Sequence, residues 1–378
     1  MIYHPGGPGV SPFEIVSADP PPVDYATYVV ISWSGTTSSS DKGSCGPSST
    51  AFGTGRTEAT LDILAQGTAD ECRRGFGTAG DIGAEAAADE LEVLRAALGQ
   101  DSVDLLMISY GSAIGEAYLR KYPGRVARAV LDAPIGLEVP WSFRLTSVDL
   151  ALRNEARDLL ARCAETACAS AAGAGEPLTF GRLRASVINT SPTVGSGNLT
   201  LTPVMFDQAT ELALRSEQYW DAYVLAVGEA LSGDGTGLWS MGESLFFDLD
   251  RSVFYRSICS DIDHPGDVAG YVIRGQDLIT AYATELAPCV GFPRRPLTAI
   301  VSAAERPDVL LVASPHDVLA PVSLLAAAPD LIGMSALCTT NVVGHTSFRD
   351  EAVRDIVVAF LRDGQASESA ARCDATFR

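Results

Sequence analysis

The stretch Leu105-Leu106-Met107-Ile108-Ser109-Tyr110-Gly111-Ser112-Ala113-Ile114-Gly115 passes from an apolar, strand-like run through one serine into residues that suit a helix. A sharp strand-to-helix turn at such a serine lifts its hydroxyl above the edge of a sheet. It also places the next amide and the helix dipole where an oxyanion would form. Ser109 is therefore the candidate nucleophile. Gly111 stands two residues after it, but Met107 occupies the position two before, where crowded backbones favour a small residue. A serine that merely caps a helix starting at Ser112 would sit in the same run, so the rest of the chain has to decide.

Working outward, β-branched apolar segments recur with helical patterns between them, the signature of an α/β fold with parallel strands. Strands are expected at Tyr28–Ser32, Val103–Ile108, Val126–Leu131, Val309–Ala313 and Leu337–Val343. Helices are expected at Ala84–Leu98, which stops at Gly99, at Ser112–Tyr122 and at Glu351–Leu361. Between Pro134 and Pro296 the rhythm changes to amphipathic helical patterns (Thr146–Cys163, Phe206–Leu214, Tyr219–Leu231, Val268–Leu286) with few convincing strands. The division that follows is a core at 1–134, a helical lid inserted at 135–296, and the rest of the core at 297–378.

Composition narrows the function. Twenty-seven basic against 47 acidic residues give a net charge of −20, which repels phosphate backbones and anionic lipid heads, so neither nucleic acid nor membrane is an expected partner. No uninterrupted apolar stretch reaches the roughly 20 residues of a membrane helix. The start, Met1 to Gly9, shows no basic, apolar export signal. Eight cysteines form an even set without C-x-x-C or Cys/His ligand spacing, which fits disulfides better than zinc.

A nucleophilic serine needs a base, and the chain has four histidines: His4, His264, His316 and His345. His345, in Val343-Gly344-His345-Thr346-Ser347, follows the last expected strand and precedes the final helix, where a loop returns to the sheet's carboxyl edge. His4 adjoins a glycine loop and reads as structural, His264 belongs to the insertion, and His316 adjoins a better-placed acid. That acid is Asp317, just past the strand Val309–Ala313, where it can orient an imidazole. Ser109, Asp317 and His345 then run in the chain order of α/β hydrolases. The opening Pro5-Gly6-Gly7-Pro8-Gly9 lets bare backbone approach a scissile carbonyl, so the amides of Gly7 and Tyr110 are the candidate oxyanion hole. No G-K-[ST] follows, so it is not a phosphate loop.

These residues resemble a known family. HPGGPG at the start, SYG at the elbow, VLDAP at Val130–Pro134, the Asp-x-x-x-Pro of Asp317–Pro321 and GHTSF at Gly344–Phe348 together look like the α/β-hydrolase peptidases of the prolyl iminopeptidase and tripeptidyl aminopeptidase group. The Arg125–Asp132 run, the Ser257–Asp261 segment and the cysteine-bearing tail resemble its secreted, tripeptidyl-aminopeptidase-like branch. That branch implies disulfides, which by position pair Cys45 with Cys72, Cys163 with Cys168, Cys259 with Cys289 and Cys338 with Cys373, and implies a secreted or periplasmic location. It also implies that acidic lid residues hold a substrate's α-amino group, with Glu243, Asp261 and Asp263 as candidates. The chain departs from the family at Met107 and at Ser32–Thr36, where an acidic residue and an arginine usually precede a glycine. The family's leading strands are not seen ahead of Met1.

The expected activity is that of a serine hydrolase, a peptidase releasing N-terminal residues or short peptides by a Ser-His-Asp acyl-enzyme route without metal or organic cofactor. A small peptide or acyl compound is the expected partner. A non-catalytic or truncated homologue, motivated by Met107 and the unseen strands, and an esterase or amidase on small acyl substrates are the alternatives.

Overall fold

In the computed structural model the run Val103–Ile108 is a strand, and both of its neighbours lie parallel to it. The structure describes residues 1–18, 20–21, 27–32, 58–76, 82–166, 168–171, 177–197, 199–244, 250–271, 277–292, 297–299, 307–329, 331 and 335–377. In chain order the strands are β1 (Ile2–His4), β2 (Val29–Val30), β3 (Val103–Ile108), β4 (Val126–Asp132), β5 (Thr193–Val194), β6 (Leu199–Thr200), β7 (Asp308–Ala313) and β8 (Ala336–Thr339). Six of them form one all-parallel sheet in the order β2-β1-β3-β4-β7-β8.

The helices are α1 (Pro12–Ala18), α2 (Glu58–Phe76), α3 (Ala84–Ala97), α4 (Tyr110–Lys121), α5 (Trp141–Ala164), α6 (Phe180–Asn189), α7 (Pro203–Leu214), α8 (Trp220–Leu231), α9 (Thr236–Ser244), α10 (Arg251–Asp261), α11 (Asp277–Leu286), α12 (Glu351–Asp363) and α13 (Ala366–Phe377). A parallel sheet must be covered on both faces, and successive strand residues serve alternate faces. Leu105, Met107, Leu131 and Leu311 pack in one cluster with Ala88 and Leu91 of α3 and Ile114 and Tyr118 of α4. Leu106, Ile108, Val130 and Leu310 pack in another with Val357 and Phe360 of α12 and Cys373 of α13. The segment between β4 and β7 builds a core of its own from α5 to α8, where Leu152, Leu183, Phe206 and Tyr223 are buried together.

Several expected boundaries move. The last strand ends at Thr339 because the chain then turns to bond the Asp317 loop, with the Ser314 hydroxyl donating to the Val342 carbonyl at 2.7 Å. The helix expected over Val268–Leu286 is a short 3-10 turn at Val268–Tyr271 and then α11. An antiparallel ribbon, β5 with β6, lies where few strands were expected. Helix α4 begins at Tyr110, immediately after the serine. The structure pairs Cys163 with Cys168, Cys259 with Cys289 and Cys338 with Cys373. Cys45 and the side chain of Cys72 lie outside the described residues, as do Trp33–Thr36.

The elbow accepts Met107 because α4 yields space instead. A Cβ at Gly115 would stand 3.0 Å from the Met107 Cγ and 2.7 Å from the Leu131 Cδ2, so the bulk sits on the strand and the gap on the helix. Gly115→Ala is expected to destabilise the fold by about 1–3 kcal/mol in chemical denaturation. In a Met107→Ala background the same change should cost at least about 0.5 kcal/mol less; strictly additive losses would show that Met107 does not set the limit.

Candidate active site

Ser109 caps α4 with φ 54° and ψ −123°, a conformation that an L-residue adopts only where its surroundings impose it. Two backbone bonds do so here: the Ser109 N–H donates to the Asp132 carbonyl at 2.8 Å, and its carbonyl accepts from the Ser112 N–H at 2.8 Å. The hydroxyl, fixed by this turn, lies 2.7 Å from Nε2 of His345. On the far side of the ring, Nδ1 lies 3.0 and 2.9 Å from the two carboxylate oxygens of Asp317. The structure thus brings together Ser109, His345 and Asp317.

Asp317 is buried, and burial alone would raise its pKa. The charge and hydrogen bond of His345, with the amides of Leu319 and Ala320 at 2.9 Å each, outweigh that and hold it below the usual carboxylate value. It is therefore an anion placed to keep the Nδ1 proton of His345 and leave Nε2 facing the serine. Gly344, before the histidine, has φ +102° and no space for a Cβ against the Arg215 carbonyl, the group that also accepts the His345 N–H at 2.8 Å.

The other histidines are placed elsewhere. His4 is buried, accepts the Gly6 N–H at 3.2 Å through Nδ1, and has its pKa lowered to about 3 by desolvation, so it stays neutral. His316 pairs through Nδ1 with Glu155 of α5 at 2.7 Å, and His264 faces the Pro265 carbonyl.

A cavity of about 920 Å³ opens over the serine, and Gly7, Ser109, Tyr110 and His345 all line it. Gly7 and Tyr110 thus face the same cavity as the serine, and the first amides of a helix point out of its N-terminal end. Much of the remaining wall is apolar, including Phe254, Ile258, Ile262, Leu286 and Leu319.

The acidic residues expected to reach a substrate do not line this cavity. Asp261 accepts the Ala84 N–H at 3.0 Å and the Tyr110 hydroxyl at 2.5 Å, Asp263 accepts the Trp141 N–H at 2.8 Å at the start of α5, and Glu243 is exposed on α9. Among the described residues, the carboxylate that does line it is Glu285 of α11. Its pKa is driven well above the usual range, first by burial and then by Glu211, against the opposing charges of Arg215 and Arg251. Nothing in the local sequence of α11 marks Glu285, since only the fold aims it into the cavity.

A second unmarked residue is Asp132, at the end of β4. It is fully buried, and its carboxylate accepts the Ser347 N–H at 3.1 Å and the Phe348 N–H at 2.9 Å. Burial raises its pKa to about 6 despite those two amides, with Asp317 adding to the rise. Its carbonyl holds Ser109 and its side chain holds the loop of His345, so one residue ties nucleophile to base.

A parallel sheet with a serine elbow, and a histidine and a carboxylate on loops beyond its carboxyl edge, define an α/β hydrolase. The family profile described as alpha/beta hydrolase fold matches residues 1–230, and the chain belongs to that family. A profile described as TAP-like protein matches residues 278–373. The serine protease Hip1 of Mycobacterium bovis and of Mycobacterium tuberculosis is 41% identical over 54 residues, which are 14% of this chain and 10% of that protein. This chain thus matches only a small part of those relatives' length. Among solved structures, an esterase of Thermogutta terrifontis in a malate-bound form is 17% identical, with a TM-score of 0.34 over 75% of this chain and 73% of that one. The esterase EaEST of Exiguobacterium antarcticum is 14% identical, with a TM-score of 0.31 over 74% of each chain.

Asp132→Ala strands two buried amides and loosens the loop that carries His345. Loss of at least about 2 kcal/mol of stability is expected in denaturant titration, because each stranded donor forfeits roughly 1–3 kcal/mol. Hydrolytic turnover at a temperature where the variant is folded should fall with it.

Proposed function

We propose that this chain is a serine hydrolase acting as a peptidase, which releases N-terminal residues or short peptides through an acyl-enzyme. What supports this most is the continuous contact from Ser109 Oγ through the His345 ring to Asp317 at hydrogen-bond distances, at the floor of a substrate-sized cavity.

In this reading His345 takes the Ser109 proton as the hydroxyl attacks a peptide carbonyl, and Asp317 stabilises the imidazolium that forms. The amides of Gly7 and Tyr110 receive the tetrahedral oxyanion. His345 then gives its proton to the leaving amine, and water, activated by the same ring, releases the acyl group. Every step uses side chains and amides of this chain alone. The helical segment 135–296 acts as a lid that shapes the pocket. Glu285 of that lid, the acidic group facing the cavity, takes the part of receiving the substrate's α-ammonium. Matches to a TAP-like profile and, over a short segment, to a serine protease agree with a peptidase. Three disulfides favour work in an oxidising compartment outside the cytosol.

A second reading, hydrolysis of small esters or amides, is favoured by the apolar wall of Phe254, Ile258 and Leu286, and the same triad would serve it.

Fluorophosphonate labelling separates an enzyme from a non-catalytic homologue: Ser109 should be modified, and Ser109→Ala should not. His345→Ala should lower turnover at least about 10³-fold with folding intact. Aminoacyl, dipeptidyl and tripeptidyl chromogenic amides, assayed beside acyl esters, decide between peptidase and esterase. N-acetylation should abolish turnover only for the peptidase.

The raised pKa of Glu285 has a definite sign. At acidic pH the group is neutral and cannot pair with an ammonium. KM for free-amine substrates should therefore fall as pH rises and the carboxylate forms, until the substrate amine itself deprotonates near about 8. Glu285→Gln should raise KM and flatten that pH dependence; an unchanged profile would remove Glu285 from amine binding.

A further inference from the structure

The cavity over Ser109 is lined by Arg144, Arg215, Arg349 and Arg354, a concentration of cations in a chain with 27 basic against 47 acidic residues. Two of them are engaged. Arg144 donates to the Gly136 carbonyl at 2.8 Å, and Arg215 pairs with Glu211 at 2.6 Å. Arg349 is exposed and Arg354 half-buried, and among the described residues neither guanidinium has an ion-pair or hydrogen-bond partner. The adjoining Asp350 is occupied, because its carboxylate accepts the Val353 N–H at 3.1 Å and caps α12.

Both arginines belong to the segment that carries the base: Arg349 follows His345 by four residues, and Arg354 lies in the first turn of α12. The proton that frees the leaving amine comes from His345, so the leaving half of the substrate lies on the side of that ring. A guanidinium stays charged across the working pH range and matches a carboxylate with two parallel hydrogen bonds.

We infer that Arg349 and Arg354 form a carboxylate subsite for the leaving half of the substrate, so that the preferred substrates are peptides with a negative charge just beyond the scissile bond. This deepens the peptidase reading and rests on it. The carboxylate has two possible sources, the C-terminus of a short peptide or an acidic side chain in a longer one.

The test compares kcat/KM at low ionic strength for four peptides with the same free N-terminal portion. One pair ends a residue after the scissile bond, as a C-terminal acid or amide. The other pair is longer and amidated, with Asp or Asn at that residue. The charged member of at least one pair should be favoured by about fivefold, and the pair that shows it identifies the source. Added salt should shrink the preference. In the Arg349→Ala/Arg354→Ala variant the ratio should come within about twofold of one, with the thermal transition unchanged as a check on folding. Efficient cleavage of all four with no charge preference, or a preference that survives in the variant, overturns the subsite and leaves the peptidase standing. Failure to cleave any of the four while acyl esters are cleaved overturns the peptidase, and the subsite with it.

Discussion

Three backbone hydrogen bonds run along the carboxyl edge of the sheet, each one step beyond a strand end. The Ser109 N–H donates to Asp132, the Ala133 N–H to Val312 and the Thr340 N–H to Ala313. They continue the parallel ladder past the point where each strand turns away, so the loops leave a common rim in fixed register. Everything chemical is hung from that rim. Ser109 gains its strained backbone there, Asp317 is offered four residues past Ala313, and His345 is reached five residues past Thr340. A one-residue slip in β3 would reverse which side chains face α4 and carry Ser109 off its bond to Asp132.

The two buried carboxylates at this rim show how neighbourhood divides one chemistry into two roles. Asp317 has the His345 ring and the amides of Leu319 and Ala320 against it and is held below the usual carboxylate value despite its burial. Asp132 is buried against the amides of Ser347 and Phe348, and burial, with Asp317 nearby, raises its pKa although those amides and His345 oppose the rise. One is suited to stabilising a positive ring during the reaction, the other to fixing the backbone that presents the ring. Exchanging them would leave the imidazole without its anion and the loop without its anchor, although both are aspartates at the same edge.

Much of this rim was legible in the sequence because it is written in local pattern. Apolar runs of strand length and the short supply of histidines placed Ser109, Asp317 and His345 beside strand ends, and only two elements had to be paired over distance. Asp132 and Glu285 were not legible, because the groups that give them meaning come from far along the chain. The amides that Asp132 accepts belong to Ser347 and Phe348, more than two hundred residues later. Asp261 misled for the same reason. Its sequence position suits a lid residue facing a substrate, but tertiary packing turns it onto the start of α3 and the hydroxyl of Tyr110. Met107 was legible as a mild departure, because Gly111 and Gly115 leave the helix side open, and Gly115 does carry the compensating space.

A hydrogen bond ties the helical segment between β4 and β7 to each corner of the triad. Asp261 of α10 binds the hydroxyl of Tyr110, the residue after the nucleophile. Glu155 of α5 binds His316, the residue before the acid. The carbonyl of Arg215, just past α7, binds the amide of His345 itself. These contacts use three separate helices, so a shift of the segment as a body would strain all three corners together, whereas a change in one helix would reach one corner. Residues that shape the pocket and residues that align the chemistry therefore share the same supports. Substitutions in the pocket wall on α5 or α10, at Arg144 or Ile258, should for that reason change kcat together with KM, and one at Leu286 of α11, which makes none of these contacts, should change KM alone.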